Sequence, residues 1–322
     1  MIIGTAPQGL IDFDTVVLNG RMLVVGTDGG RIFTWDSLND RWTTHGFAPG
    51  DEQTGPRDIT AIAAAAVDGR IVLGGGEYLL AFAQWELDGR LRRGPRGQDG
   101  GVSAVSTVEH GDRTLFVSGG TGPSVHLWDA RTTEPYAAIW HELEECGRVA
   151  VGTWRDRLVV AGTKDNRFRI WDVDAGGSLA EFDSPESQFC DHPDDEVAEH
   201  FADPEEGLTY FGLATYLVAA GDQAFVIRDL DADGWYEPLT IPGGTVTCLD
   251  AGHVDGRPVA VTGGDDGTVC VWDLENRHLL SEPFTDHLEE VSAVRLARLE
   301  GRPVAVSASA DATVRVRELA WE

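Results

Sequence analysis

An all-β chain made of one repeated sheet module is predicted by three observations. Trp-Asp or a stand-in recurs at Trp35-Asp36, Trp85-Glu86, Trp128-Asp129, Trp171-Asp172, Arg228-Asp229, Trp272-Asp273 and Arg317-Glu318, at intervals of 50, 43, 43, 57, 44 and 45 residues. A tight turn ending in Arg runs in phase with it, at 19–21, 68–70, 111–113, 155–157, 255–257 and 300–302, and that Arg stands 14 or 15 residues before the Trp position each time. Between the markers apolar and polar residues alternate, the period of a half-buried strand. Two markers holding one phase establish an internal repeat. Only the fifth copy lacks the Arg; there the chain reads "TYFGLATYLV" and Gly212 is expected to make the turn.

The sixth copy shows how each unit is built. "TVTCLDA" is a strand, "VDGR" a turn, "PVAVTGG" a strand, "DDG" a turn and "TVCVWDL" a strand. A looser fourth strand is expected at "HLLSEPF", 278–284. Asn-Gly and Asp-Gly pairs suit the tight turns of hairpins, because both central residues there need positive φ. A lone four-stranded sheet of this size cannot bury both of its faces. Stacking the copies face to face around a ring does so, and the Trp closing each third strand supplies roughly 150–250 Å² of apolar body between neighbours. The fold class is therefore all-β: a seven-bladed β-propeller of four-stranded antiparallel blades, one domain spanning 1–322. The chain stops three residues after "VREL", so blade seven has no outer strand of its own. "MIIGTA" at the N-terminus has no other assignment and is expected to supply it, an N-terminal strand closing the last blade.

Composition excludes several functions. Asp and Glu number 54 against 25 Lys and Arg, a formal charge of −29. That field repels phosphates and anionic lipid, so nucleic acid and membrane are poor partners and a basic protein is a good one. Cys146, Cys190, Cys248 and Cys270 form no C-x-x-C pair, so no zinc framework is written here. No signal peptide or apolar span of membrane length is present, and a cytoplasmic location with free thiols is expected.

The "GGDDGTVCVWDL" ending and the 43–45 residue spacing resemble the WD40 repeat, a seven-bladed β-propeller family. The resemblance covers the whole chain and is clearest in blades three, four, six and seven. "GRPVAV" before the turn looks like bacterial members of the family. The family's folds host many roles, and the resemblance implies a protein-interaction scaffold. It also implies a buried His–Ser/Thr–Asp–Trp network in each blade. Blade six offers Thr262, Asp266 and Trp272 but has Pro242 at the His position; blade seven offers His287, Ser307 and Asp311 but has Arg317 at the Trp position; blade three offers Ser118 and Trp128 but has Gly122 at the Asp position. These residues are expected to be structural, with stability resting mainly on apolar packing.

Functional candidates lie where the repeat breaks. The long intervals hold a Pro/Gly-rich loop at 47–58 and an acidic insertion at about 183–207, where "SPES" and "DHPDDEVAEHF" carry helix-start signals. Cys190, His192, Glu196 and His200 there allow metal binding, but a solvated acidic cap is the preferred reading. Asp229, Asp231, Asp233 and Glu237 fall at positions 1, 3, 5 and 9 of a calcium-loop spacing with Gly234 at 6, yet Thr240 stands where a bidentate Glu belongs. Arg90, Arg92, Arg93 and Arg96 form a basic cluster suited to phosphate or an acidic peptide, or to neutralising nearby acids. Trp42, Trp140, Trp154, Trp235 and Trp321 lie outside the repeat position and are candidate interface anchors, although outer-strand packing explains Trp42 and Trp235 at least as well. No G-x-S-x-G, P-loop or H-E-x-x-H is present.

The expectation is a non-enzymatic, monomeric scaffold presenting loops and rim to another protein, with no catalytic, cofactor or metal residues assigned and no cofactor. The alternatives are a small-molecule binder or enzyme using the central channel with 183–207 as lid, and a calcium-stabilised interaction module.

Overall fold

The Trp-Asp and Arg markers acquire a physical meaning once the strands are in place. The computed structural model describes residues 2–6, 9–45, 59–77, 80–93, 101–120, 124–140, 150–164, 167–183, 210–213, 216–220, 224–232 and 234–320. Every regular element among them is a strand. The strands form seven four-stranded sheets, the blades of an all-β, seven-bladed β-propeller. The first is β2 (Asp12–Leu18), β3 (Arg21–Thr27), β4 (Ile32–Asp36) and β5 (Arg41–His45). The second is β6 (Ala61–Val67), β7 (Arg70–Glu77), β8 (Leu80–Glu86) and β9 (Leu91–Arg93). The third is β10 (Val102–His110), β11 (Arg113–Gly120), β12 (Ser124–Asp129) and β13 (Pro135–Trp140). The fourth is β14 (Ala150–Trp154), β15 (Arg157–Lys164), β16 (Arg167–Asp172) and β17 (Gly177–Asp183). The fifth is β18 (Tyr210–Leu213), β19 (Tyr216–Ala220), β20 (Ala224–Asp229) and β21 (Leu239–Thr240). The sixth is β22 (Val246–Val254), β23 (Arg257–Gly264), β24 (Val269–Asp273) and β25 (His278–Leu279). The seventh takes β26 (Val291–Leu299), β27 (Arg302–Ser309) and β28 (Thr313–Glu318) from the end of the chain and β1 (Ile2–Thr5) from its start, in the order β1-β28-β27-β26. The N-terminal strand does close the last blade.

Five of the turns between first and second strands use positive φ at both central residues, as in Asn19-Gly20 (52° and 76°) and Asp255-Gly256 (52° and 81°), while in the third copy Gly111 alone does. This geometry matches the right-handed twist of the flanking strands. In the first four copies the Arg that follows this turn then lies beside the carboxylate ending the third strand. Arg21 stands 3.4 Å from Asp36, Arg70 3.4 Å from Glu86, Arg113 3.3 Å from Asp129 and Arg157 2.7 Å from Asp172. The same carboxylates cap the next turn: Asp129 Oδ1 accepts from the Arg131 and Thr132 amides, and Asp172 Oδ1 from those of Asp174 and Ala175. The Ala175 amide, with the Arg157 guanidinium, holds the Asp172 carboxyl below the usual carboxylate range. In these four copies the two sequence markers keep one phase because they are the two ends of one ion pair.

Two expectations need correction. Gly212 is not a turn residue; it lies in β18, opposite Val218 in β19. The outer strand of the sixth sheet does not run through 278–284. Only His278 and Leu279 pair regularly with β24, and Phe284 returns as an isolated bridge to Val269. Pro283, which has no N–H to donate, interrupts the run. The acidic insertion from 184 onward lies outside the described residues.

The backbone falls into two compact units, 1–149 with 298–302 and 312–315, and 150–297 with 303–311 and 316–322. In the first unit, Val25, Ile32, Ile62, Leu73 and Trp85 fill the space between the first and second sheets. Phe82 of the second sheet stacks on Trp128 of the third at 5.3 Å. β1 runs so close to Trp35 that a Cβ on Gly4 would stand 2.5 Å from Trp35 Cε2. In the second unit Phe225 of the fifth sheet stacks on Trp272 of the sixth at 4.6 Å. Where Trp is replaced the stacking survives as a cation–π contact. Arg228 lies 4.0 Å over Phe182 of the sheet before it, and Arg317 lies 4.3 Å over Phe284.

First strands of neighbouring sheets are also joined by polar bonds. Asp12 and Asp14 accept from the Ile62 and Ala64 amides at 2.9 Å, and Asp250 accepts from Leu296 at 2.7 Å. Desolvation raises the Asp250 carboxyl above its ordinary range despite the nearby Arg295 charge. A carboxyl raised by folding holds its proton better in the folded state. Its contribution is full below the unfolded value of about 4 and is lost as pH rises toward the folded value. Asn keeps the acceptor and cannot ionise. Asp250→Asn should therefore be more stable than the parent at pH 7 and should lose that advantage near pH 4, read by chemical denaturation at both values. A variant less stable at pH 7 would contradict the assignment.

Candidate interaction site

The segment from Phe284 to Glu290 joins the sixth sheet to the seventh and is bonded at nearly every residue. Phe284 exchanges two backbone hydrogen bonds with Val269, at 2.8 and 2.9 Å. Asp286 pairs with Arg317. His287 Nε2 lies 2.8 Å from Ser307 Oγ, and its Nδ1 lies 3.2 Å from Asp311 Oδ2. A carboxylate only accepts, so Nδ1 carries the proton and Nε2 accepts from the serine hydroxyl. Asp311 Oδ2 also accepts from the Leu288 amide at 3.0 Å. The Glu289 carbonyl accepts from Ser309 Oγ at 2.9 Å and the Glu290 carbonyl from the Ala310 amide at 2.9 Å. From the other side Gly267, at φ +83°, approaches so closely that a Cβ there would stand 2.6 Å from the His287 carbonyl oxygen.

This carboxylate–imidazole–hydroxyl alignment has the order of a hydrolytic triad. Its surroundings rule out that chemistry in the folded chain: His287 and Ser307 are 5% and 6% exposed, so no substrate carbonyl reaches the hydroxyl. The triad acts as a peg. It turns His287 inward, and the next side chain, Leu288, is driven outward to 86% exposure. No other large apolar side chain among the described residues exceeds Val17 at 52%. Sequence reasoning missed Leu288, since nothing in "TDHLEEV" separates it from the start of a buried strand. The available signal was His287 paired in sequence with Ser307 and Asp311, which fixes the side of the loop that faces in.

The other network residues are structural. Trp272 Nε1 donates to Thr262 Oγ1 at 3.1 Å and Trp128 Nε1 to Ser118 Oγ at 3.0 Å. Asp266 is held by the Thr268 amide and hydroxyl at 3.0 and 2.8 Å. His126, which sequence reasoning did not single out, stacks on Trp128 at 5.4 Å and meets Ser124 at 2.7 Å. Gly122 lies outside the described residues.

The remaining candidates separate clearly. Asp229 accepts from the Asp231 amide as a turn cap, and Asp231 is taken by Arg155 at 2.8 Å; Asp233 lies outside the described residues. Arg90 pairs with Glu86, and Arg92 donates to the carbonyls of Ala130 and Arg131 at 2.7 Å. Arg96 and the side chain of Arg93 are not described. Trp154 and Trp235 are buried core rather than surface anchors, and Trp235 Nε1 donates to the Asp183 carbonyl at 2.9 Å. Trp42 stacks on Trp35 at 5.8 Å. Trp321, the Trp140 side chain and Cys190, His192, Glu196 and His200 lie outside the described residues. Cys248 donates to the Val291 carbonyl at 3.3 Å, and burial pushes the Cys270 thiol up to about 12, which leaves it unreactive.

Comparison with known proteins follows the same modules. The profile of the WD domain, G-beta repeat matches residues 237–273, which hold the first three strands of the sixth sheet, its Gly-Gly-Asp-Asp-Gly turn and Trp272-Asp273. The match supports the WD40 family. Autophagy-related protein 16 of Arabidopsis thaliana is 25% identical over 240 residues, 68% of this chain and 43% of that protein. The ciliary WD repeat-containing protein ctxp80 of Euplotoides octocarinatus is 25% identical over 236 residues, 70% of this chain and 28% of that protein. The chain spans less than half the length of these curated relatives. The Leu288 loop lies outside the matched 237–273 segment.

Removing the peg should loosen the loop. Asp311→Ala leaves His287 and the Leu288 amide without their acceptor, a cost of about 1–3 kcal/mol. The Leu288 amide should lose its hydrogen-exchange protection while the β23 and β24 amides keep theirs. Unchanged protection at Leu288 would show that the triad does not fix this loop.

Proposed function

We propose that this chain is a non-enzymatic protein-interaction scaffold, a single monomeric domain whose sheets hold loops rigid for a protein partner in the cytoplasm. One observation carries the reading. Leu288 is 86% exposed on a loop whose backbone is bonded on both sides. An exposed leucine costs solubility and contributes nothing to the core, while rigid presentation lowers the entropy lost on docking. Support comes from the WD40 match and from the 25% likeness to two relatives, one named for autophagy and one a ciliary WD repeat-containing protein. The −29 charge supports a protein partner over nucleic acid or anionic membrane.

A photo-crosslinking residue at position 289 of the full chain, illuminated in native lysate, tests this. A discrete protein adduct should form, should vanish on adding Leu288→Asp, and should be absent with the crosslinker at Asn19. Equal labelling at 289 and 19, or labelling indifferent to Leu288, would overturn the reading.

A further inference from the structure

We infer that the 285–290 loop docks a basic amphipathic helix of a partner protein, with Leu288 as a knob in a hole formed by four helix side chains. The inference deepens the scaffold reading and rests on it. The apolar element offered is one side chain rather than a groove, so the partner must supply the concave part. Residues at i, i+3, i+4 and i+7 of a helix form a hole of that size, and a short helix face suits a contact this narrow.

Charge chooses the helix. Glu289 and Glu290 follow Leu288 directly, and both are exposed. Asp265 is exposed on the adjoining turn, which meets the loop where Gly267 packs against the His287 and Glu289 carbonyls. None of these three carboxylates is paired with a described residue. The other acids of the loop region are occupied: Asp286 by Arg317, Asp266 by Thr268, and Asp311 by His287 and the Leu288 amide. Arg317, the cation facing the loop, is already held by Asp286 and by the Phe284 ring. The knob is therefore bordered by uncompensated negative charge. A second copy of the chain would bring like charges together, an acidic helix would be repelled, and Lys or Arg beside the hole would be attracted.

The test uses the full chain and three labelled helical peptides of equal length, followed by fluorescence anisotropy. The first has a leucine face flanked by lysines. The second carries glutamates in place of the lysines, and the third carries serines in place of the leucines. The leucine–lysine peptide should bind and the other two should not. Leu288→Ala and the double variant Glu289→Lys/Glu290→Lys should each weaken binding about tenfold, about 1.4 kcal/mol, with melting temperatures unchanged because all three side chains are exposed. Affinity should fall between about 50 and about 200 mM salt. Equal binding of the glutamate peptide, or binding indifferent to Leu288, would overturn the inference. So would Leu288-dependent dimerisation in sedimentation. If the peptide fails while the crosslink at 289 still depends on Leu288, the partner class is wrong and the scaffold stands; if both fail, both fall.

Discussion

A four-stranded sheet of about 40 residues has two apolar faces and, among the described residues, no helix to cover either, and this constraint organises the chain. Each sheet must borrow its neighbour's face. The side chain ending the third strand does most of the joining. Trp128 and Trp272 stack on Phe82 and Phe225 of the sheets before them. Arg228 does the same over Phe182 of the fourth sheet, and Arg317 lies over Phe284 of the segment joining the sixth sheet to the seventh. A guanidinium is planar and weakly hydrated, so it takes the place of an indole against an aromatic ring without breaking the module. In the fifth and seventh copies a guanidinium thus does the stacking that an indole does in the third and sixth.

Much of this was legible because the markers are short-range chemistry. A Gly-containing turn, an Arg after it and a carboxylate 15 or 16 residues later can be counted along the chain, and they prove to be an ion pair across two adjacent strands, as in Arg157 and Asp172. The closing role of residues 2–5 was legible for a different reason: the seventh copy lacks an outer strand and the first copy has residues to spare. The sequence misled where context decides. "TWRDR" looks like a loop aromatic, but Trp154 shares one core between the fourth and fifth sheets with Trp235, for which packing is the equal expectation. Gly212 looks like a turn and is a strand residue, because the register pairs it with Val218.

The same distinction governs function. A His, a Ser and an Asp at 287, 307 and 311 are visible in the sequence and can be read as structure or as catalysis. Burial decides between them. Once the imidazole is sealed, its hydrogen bonds serve only to hold the loop, and their consequence is felt one residue further on, where Leu288 meets solvent among acids. Rigidity and exposure are therefore products of one small network. No counting along the chain reveals this, since it depends on which of two neighbouring side chains wins the inward place.

The most direct test of the central claim compares two truncations at one position of the sixth sheet. Trp272 contributes its ring to the fifth sheet's Phe225 and its Nε1 proton to Thr262 Oγ1. If borrowed apolar faces hold the fold, Trp272→Ala should cost about 3–5 kcal/mol, and Thr262→Val, which deletes only the acceptor, should cost no more than about 1–3 kcal/mol. Denaturant unfolding of the two variants measures both. A Thr262→Val loss equal to or larger than that of Trp272→Ala would show that the polar network, and not the packing between sheets, carries the stability.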